Sequence, residues 1–296
     1  METSVFYALA VVAALIYTVA SLLQKQALEF HVGAMRVLFV SHWLFWLCVL
    51  PAGLLAPGQV DGSLWWAVLV TGLLSSAGAT FSVLAIKYGD VSVAMPLMGI
   101  KVLAVAVLSA IFLAQPVPLA WWLAAVLTVV AVYLLGRRRS HSGKSVWLTV
   151  LLATLASLTY AGMDVMFGAF AQRFGFFQFV AAKQTVVVAS SFVLLPFFSG
   201  PLRSIPVKAF RWIVPAVMLM AVQFYMMTYS VSASGDPTAI NILYSSRGMW
   251  SVLLVALVGH WFDNRESHVG RTVMIERFVG AGLLLVAIGI VMVTGN

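Results

Sequence analysis

Acidic side chains are the scarcest chemistry in this sequence. Nine Asp and Glu stand against seventeen Lys and Arg, and the four types together make up only 9% of 296 residues. A soluble domain carries about a quarter, so a water-facing globule is excluded as the fold class. Cysteine is nearly absent too: Cys48 alone permits neither an intramolecular disulfide nor a cysteine-based metal site. The five histidines are scattered, four of them (His31, His141, His260 and His268) in or beside expected loops, with only His42 inside an apolar run. HExxH, GxSxG and Walker-type sequences are missing, so the chain is not expected to be an enzyme or a nucleotide-driven pump, and no cofactor or metal is implied.

What is present is hydrocarbon. Hydrophobic residues make up 62% of the chain, gathered into ten runs at about the 20-residue span a helix needs to cross a bilayer. They cover residues 5–23, 34–55, 64–86, 91–113, 119–136, 146–170, 177–198, 212–231, 239–258 and 278–293. Lipid offers no partner to an open backbone, so each run is predicted to be helical. Barrel strands would be shorter and polar at every second residue. The opening METSVFYALAVV has neither the basic region nor the small-residue cleavage site of a secretory signal, so its run is expected to be the first spanning helix.

The net charge of +8 does not point to nucleic acid, because its distribution is topological. With the N-terminus outside, the opposite loops hold nearly all the loop cations, including Lys25, Lys87, Arg137–Arg139, Arg203 and Lys208, whereas the N-terminal face holds Arg173. This is the positive-inside bias, which predicts cytoplasmic basic loops beside anionic lipid and both termini outside an inner membrane.

The chain also repeats itself. The basic stretch 137–145 divides five runs from five, so residues 1–136 and 146–296 are read as two repeats joined by a cytoplasmic linker. In one register Trp66 falls on Trp212, Gly89-Asp90 on Gly235-Asp236 and, one residue adrift, Leu50-Pro51 on Leu195-Pro196. Five is odd, so the second repeat inserts upside down. The expected fold is an all-α polytopic membrane protein of ten helices in two inverted five-helix repeats, a transporter architecture with its site near the midplane.

That register pairs the membrane-embedded cations. Lys101 in MPLMGIKVLA coincides with Arg247 in NILYSSRGMW, and Arg36 lies within one residue of Lys183. A cation at a helix centre costs about 2.5–3.5 kcal/mol on insertion scales. Snorkelling accounts for Arg36 and Lys183 as readily as function does, since both lie within a few turns of a helix start. Lys101 and Arg247 have about ten residues of apolar helix on either side, roughly 15 Å, beyond side-chain reach. Asp164 is the one carboxylate clearly inside a span, and a single acid does not neutralise four bases. Lys101 and Arg247 are therefore the first candidates to hold an anionic substrate group, with Arg36 and Lys183 guiding it from either side. Tyr244, Asn241, Tyr160, Gln223 and Ser245 are candidates to orient the remainder. Asp164 and His42 are candidates for charge pairing or proton coupling. For each polar residue alone, ordinary interhelical hydrogen bonding is the competing reading.

The pattern resembles the drug/metabolite transporter superfamily, specifically its EamA-type members with five plus five helices. The resemblance is carried by AIKYGDVSVAMPLMGIKVLAVAVLSAIFLAQ (residues 85–115), by ERFVGAGLLLVAIGIVMVTG (residues 276–295) and by the early arginine of the second run, Arg36. It implies alternating access around a central cavity. The family often carries an acid after its fourth and ninth helices. Glu266 fits in the second half, whereas AQPVP has none in the first. The basic pair at 101 and 247 is closer to the superfamily's organic-phosphate exchangers. The reading is a secondary transporter of a small organic anion bearing phosphate or carboxylate, driven by a proton or counter-solute gradient or by the substrate's own, with that metabolite and the membrane lipids as partners. Two alternatives stay open: an exporter of neutral or zwitterionic amino acids or drugs, with the cations paired internally, and a lipid-binding membrane protein that transports nothing.

Overall fold

A computed structural model of the chain describes residues 3–58, 60–88, 94, 97–114, 116–136, 146–258 and 271–295, and among these it is helical throughout with no strand. In chain order the helices are α1 (Thr3–Leu28), α2 (Ala34–Leu55), α3 (Trp65–Tyr88), α4 (Lys101–Phe112), α5 (Leu119–Gly136) and α6 (Val146–Phe174). They continue with α7 (Phe176–Ser191), α8 (Val207–Ser234), α9 (Pro237–Tyr244), α10 (Arg247–Val258) and α11 (Arg271–Thr294). Short 3₁₀ turns precede α3 and α4, follow α7 and precede α8. Six helical stretches are long and apolar enough to cross a membrane: Thr3–Leu28, Ala34–Leu55, Gly62–Tyr88, Trp147–Phe174, Phe176–Phe197 and Val207–Ser234. Met98–Phe112, Leu119–Leu135 and Phe278–Thr294 are shorter apolar helices. The expected linker 137–145 lies outside the described residues, as do Gly89-Asp90, His260, His268 and Glu266.

Several expected runs are not single α-helices among the described residues: α4 starts only at Lys101 after a 3₁₀ turn, α7 passes into a 3₁₀ turn at Phe192, and a third run is divided in two. The run 239–258 is two helices, α9 and α10, separated by a turn at Ser245 and Ser246. The local chemistry explains the break. Ser245 Oγ donates to the Asn241 carbonyl at 2.8 Å, and Asn241 Nδ2 donates to the Pro237 carbonyl at 2.9 Å. The Ser246 amide reaches only three residues back, to the Leu243 carbonyl at 3.1 Å. Short polar side chains thus compete with the backbone ladder and tighten it. Upstream, Gly235 ends α8 in the left-handed region, with φ 73°, and Pro237 occupies the first turn of α9, where its missing N–H costs nothing.

Helix pairing is cross-wise. The most extensive packing joins α1 to α8, α3 to α6, α5 to α11 and α2 to α7, while α4 packs on α9. The outer surface is apolar, with Leu55, Leu119 and Val207 among the most exposed residues, as expected where lipid is the solvent. Buried positions favour small side chains, including Ala10, Ala13, Ala14, Ala124 and Ala125, which let backbones approach closely. Hydroxyls within spans bond back to their own helix, as Thr18 does to the Ala14 carbonyl and Thr71 to the Ala67 carbonyl. At the end where α1 begins, α6 and α8 finish and α7 starts, Phe6, Phe174, Phe176, Phe179 and Tyr229 form an edge-on aromatic cluster.

Gly72 sets the approach of α3 to α7. A Cβ placed there would lie 2.5 Å from Val186 Cβ and 3.0 Å from the Lys183 carbonyl oxygen, neither of which moves easily. Gly72→Ala is expected to lower unfolding stability in detergent by about 1–3 kcal/mol. Gly282→Ala, on α11 with nothing within 4 Å of the added carbon, should be neutral or mildly stabilising, and thermal melts of both variants check the contrast.

Candidate functional site

The helices enclose a central cavity of about 780 Å³. It reaches Gln24 and Lys25 at the end of α1 and Ile86 near the end of α3, both helix ends carrying exposed residues. The aromatic cluster lies beyond the other end. Ten of the eleven residues expected at the site line this one space: Lys101, Arg247, Lys183, Tyr244, Asn241, Tyr160, Gln223, Ser245, Asp164 and His42. They come from α2, α4, α6, α7, α8, α9, α10 and the turn between the last two, so no local stretch of chain makes the site.

Arg36 is the exception. Its side chain is buried away from the cavity, donating from Nη1 to the Pro201 carbonyl at 3.0 Å and to Ser204 Oγ at 2.8 Å. The reason is axial position. Arg36 is the third residue of α2, whereas Lys183 is the eighth of α7. Five residues at 1.5 Å each separate the two by roughly 7.5 Å along their helices. Arg36 consequently meets the 201–204 turn outside the hydrocarbon interior, while Lys183 faces the centre.

Lys101 and Arg247 occupy equivalent places. Each is the first residue of an α-helix that follows an interruption, the 3₁₀ turn Met98–Ile100 for one and the Ser245-Ser246 turn for the other. A half-helix start adds partial positive potential to the side-chain charge. Lys101 Nζ lies 2.7 Å from Asp164 Oδ2, and the carboxylate is 2% exposed. Arg247 has no carboxylate partner among the described residues. Its guanidinium instead lies 5.1 Å from the ring centres of both Tyr17 and Tyr244, and such stacking is worth about 2 kcal/mol or more where water is excluded. Tyr244 in turn donates to Gln223 Oε1 at 2.8 Å, which fixes its ring beside the cation.

Lys183 is 1% exposed and also lacks a carboxylate partner among the described residues. Its ammonium donates to Gln184 Oε1 at 3.1 Å and Ser75 Oγ at 3.3 Å, and lies 4.4 Å from the Phe224 ring centre. Besides Lys25 at the mouth, three cations line the cavity deeper in the bundle against one carboxylate, a formal surplus of two positive charges among these deeper groups. Tyr17, Ser75, Gln184 and Phe224 also line the cavity and were not among the residues expected at the site. Ser75 belongs to the small-residue stretch SSAGA and Phe224 to an apolar helix face, so neither carries a local signal; only packing brings them to Lys183.

The Lys101–Asp164 pair is directly testable. Lys101→Met or Asp164→Asn alone strands one buried charge and should cost about 3–5 kcal/mol. The double variant Lys101→Met/Asp164→Leu should recover most of that loss, and a double-mutant cycle on unfolding free energies measures the coupling.

With this geometry in view, comparison with known proteins is informative at two levels. A solved structure described as the crystal structure of a protein superposes with a TM-score of 0.73 over 97% of both chains at 14% identity, a likeness of fold alone. No curated protein sequence matches the chain. Residues 5–137 match the model of the EamA-like transporter family, whose members are transporters and not enzymes. That match covers the first half of the chain alone, and with the six helices long and apolar enough to cross a bilayer it supports a multi-pass membrane protein whose first half is similar to the EamA-like transporters.

Proposed function

We propose that this chain is a secondary transporter that carries a small organic anion across the inner membrane by alternating access. The observation that carries the reading is the surplus of cations, Lys183 buried and Lys101 and Arg247 half-buried, around one central cavity. Arg247 cannot shed its proton, and tyrosine rings offset only part of the cost of burying its charge. A bound carboxylate or phosphate ester would complete the balance with charge-assisted hydrogen bonds. In this reading Arg247 and Lys101 grip the anionic group, Lys183 extends the positive wall, and Tyr244, Asn241, Tyr160, Ser245 and Gln223 orient the remainder.

Asp164 holds Lys101 in place while the site is empty. An arriving anion would compete with it for the ammonium, and this competition ties substrate binding to the arrangement of α4 and α6. Arg36, engaged with the 201–204 turn, has no part in this scheme.

The cross-wise helix pairing supports two inverted five-helix repeats, residues 1–136 and 146–296. If α1 corresponds to α6 and α3 to α8, the α1–α8 contact maps onto the α6–α3 contact, and α2–α7 and α5–α11 map onto themselves. Those are the contacts a pseudo-twofold axis in the membrane plane would generate. With the basic loops cytoplasmic and both termini outside, the cavity mouth at Lys25 and Ile86 faces the cytoplasm, and the aromatic cluster closes the outer side.

Of the rival readings, a zwitterion exporter with internally paired cations is supported at Lys101 but not at Arg247 or Lys183. Uptake by proteoliposomes loaded from a panel of carboxylates, phosphate esters and amino acids separates the readings. Wild type is expected to take up at least one anion, and Arg247→Gln should reduce that uptake about ten- to hundredfold, the worth of one charge-assisted contact. Lys101→Gln should reduce it as well. Uptake confined to amino acids, or unchanged anion uptake in both variants, would sink the proposal.

A further inference from the structure

The positive charge around the cavity is divided between two poles, and the division bears on which anion fits. The first pole is Lys101 and Arg247 on α4 and α10. The second is Lys183 on α7, and it has its own polar surroundings. His42 and Ser41 of α2 line the same space, and the His42 Nδ1 and Ser41 Oγ atoms are buried without any hydrogen-bond partner. His42 is only 9% exposed. Orphaned polar atoms in a buried site each forfeit a hydrogen bond's worth of stability unless a ligand or water supplies the partner. His42 is close enough to Lys183 to feel its charge, and Gln184, which accepts from Lys183, donates to the His42 carbonyl at 3.3 Å.

Topology keeps the poles apart. The α2–α7 pair and the α4–α9 pair pack separately, with α6 and α8 each touching both. One turn of α8 links the two. Phe224 lies under the Lys183 ammonium, while its chain neighbour Gln223 holds Tyr244 beside Arg247. Consecutive helical residues point about 100° apart, so the two poles flank a single turn of α8. A molecule with one acidic group satisfies one pole and leaves the other a buried, uncompensated cation. A molecule with two acidic groups on a short backbone satisfies both, and its two negative charges match the surplus of two positive charges.

We propose that the substrate is a short organic dianion with an acidic group at each end, one held by Arg247 and Lys101 and the other by Lys183 with His42, Ser41 and Ser75. The inference rests on the anion-transport reading and adds the second subsite and the substrate class. Asn241 and Tyr160, which line the same cavity, would meet the remainder of the molecule.

The test uses the full-length protein purified in detergent, with dissociation constants taken from the concentration dependence of thermal stabilisation at constant ionic strength. The probes are butyrate, succinate, glutarate and adipate. At least one diacid is expected to bind about tenfold or more tightly than butyrate, the worth of an added charge-assisted contact. Lys183→Gln should erase that advantage, so that the diacids bind the variant no more tightly than butyrate does, whereas Arg247→Gln should weaken both classes. Because Lys183 is buried, the milder Ser41→Ala/Ser75→Ala variant serves as a second probe and should lower the diacid preference without affecting butyrate. If butyrate stabilises the protein and no diacid does better, or if the preference survives in both variants, the two-pole assignment is overturned and the anion site stands. If none of the four anions stabilises the protein, the two-pole assignment is overturned, and the uptake panel with its phosphate esters decides the anion-transport reading separately.

Discussion

Placing several permanent cations inside an apolar bundle with almost no acid to neutralise them is the constraint on which the rest of this structure depends. Each such charge must be met by something weaker than a carboxylate, or by a ligand. The chain uses three different arrangements. Lys101 receives the single buried carboxylate, Asp164, at 2.7 Å. Arg247 is placed between two tyrosine rings. Lys183 receives an amide oxygen, a hydroxyl and the face of a phenylalanine. Only the first of these neutralises charge; the other two moderate it, and the cavity keeps a positive interior that a soluble fold would have filled with Glu or Asp.

Those arrangements in turn require particular backbones. Arg247 reaches the cavity from the start of a helix because Ser245, Ser246 and Asn241 interrupt the ladder ahead of it. The interruption is tolerable at that depth because the freed groups face protein and cavity, not lipid. The Arg247 carbonyl, for example, accepts from Thr18 Oγ1 at 3.3 Å. On the other side, Lys183 sits where it does because Gly72 lets α3 close against its main chain. Small residues and polar interruptions, each unfavourable to a helix by itself, bring the charges to one space.

Much of this was legible in the residues. Composition and run length specify a helical membrane protein, since hydrocarbon accepts no other continuous backbone from runs of this kind. The rarity of charge makes every embedded cation conspicuous, so Lys101, Lys183, Arg247 and Asp164 stand out in one dimension as they do in three. The Lys101–Asp164 contact was narrowed by simple scarcity, because one acid was available. Arg36 shows where such reasoning stops. Its type and approximate register matched Lys183, yet five residues of axial offset sent it to a surface turn.

The sequence by itself therefore determined the solvent, the secondary structure and the short list of costly residues, because each follows from the price of placing a group in hydrocarbon. Tertiary structure decided which of those residues share a cavity, which cation takes the one carboxylate, and which serines, aromatics and amides complete each pole. These depend on distances between helices far apart in the chain, and no spacing along a single helix encodes them. NILYSSRGMW displays the division: its polar content is plain in the sequence, but the broken helix, and the tyrosine of α1 stacked on its arginine, exist only once the bundle has closed around them.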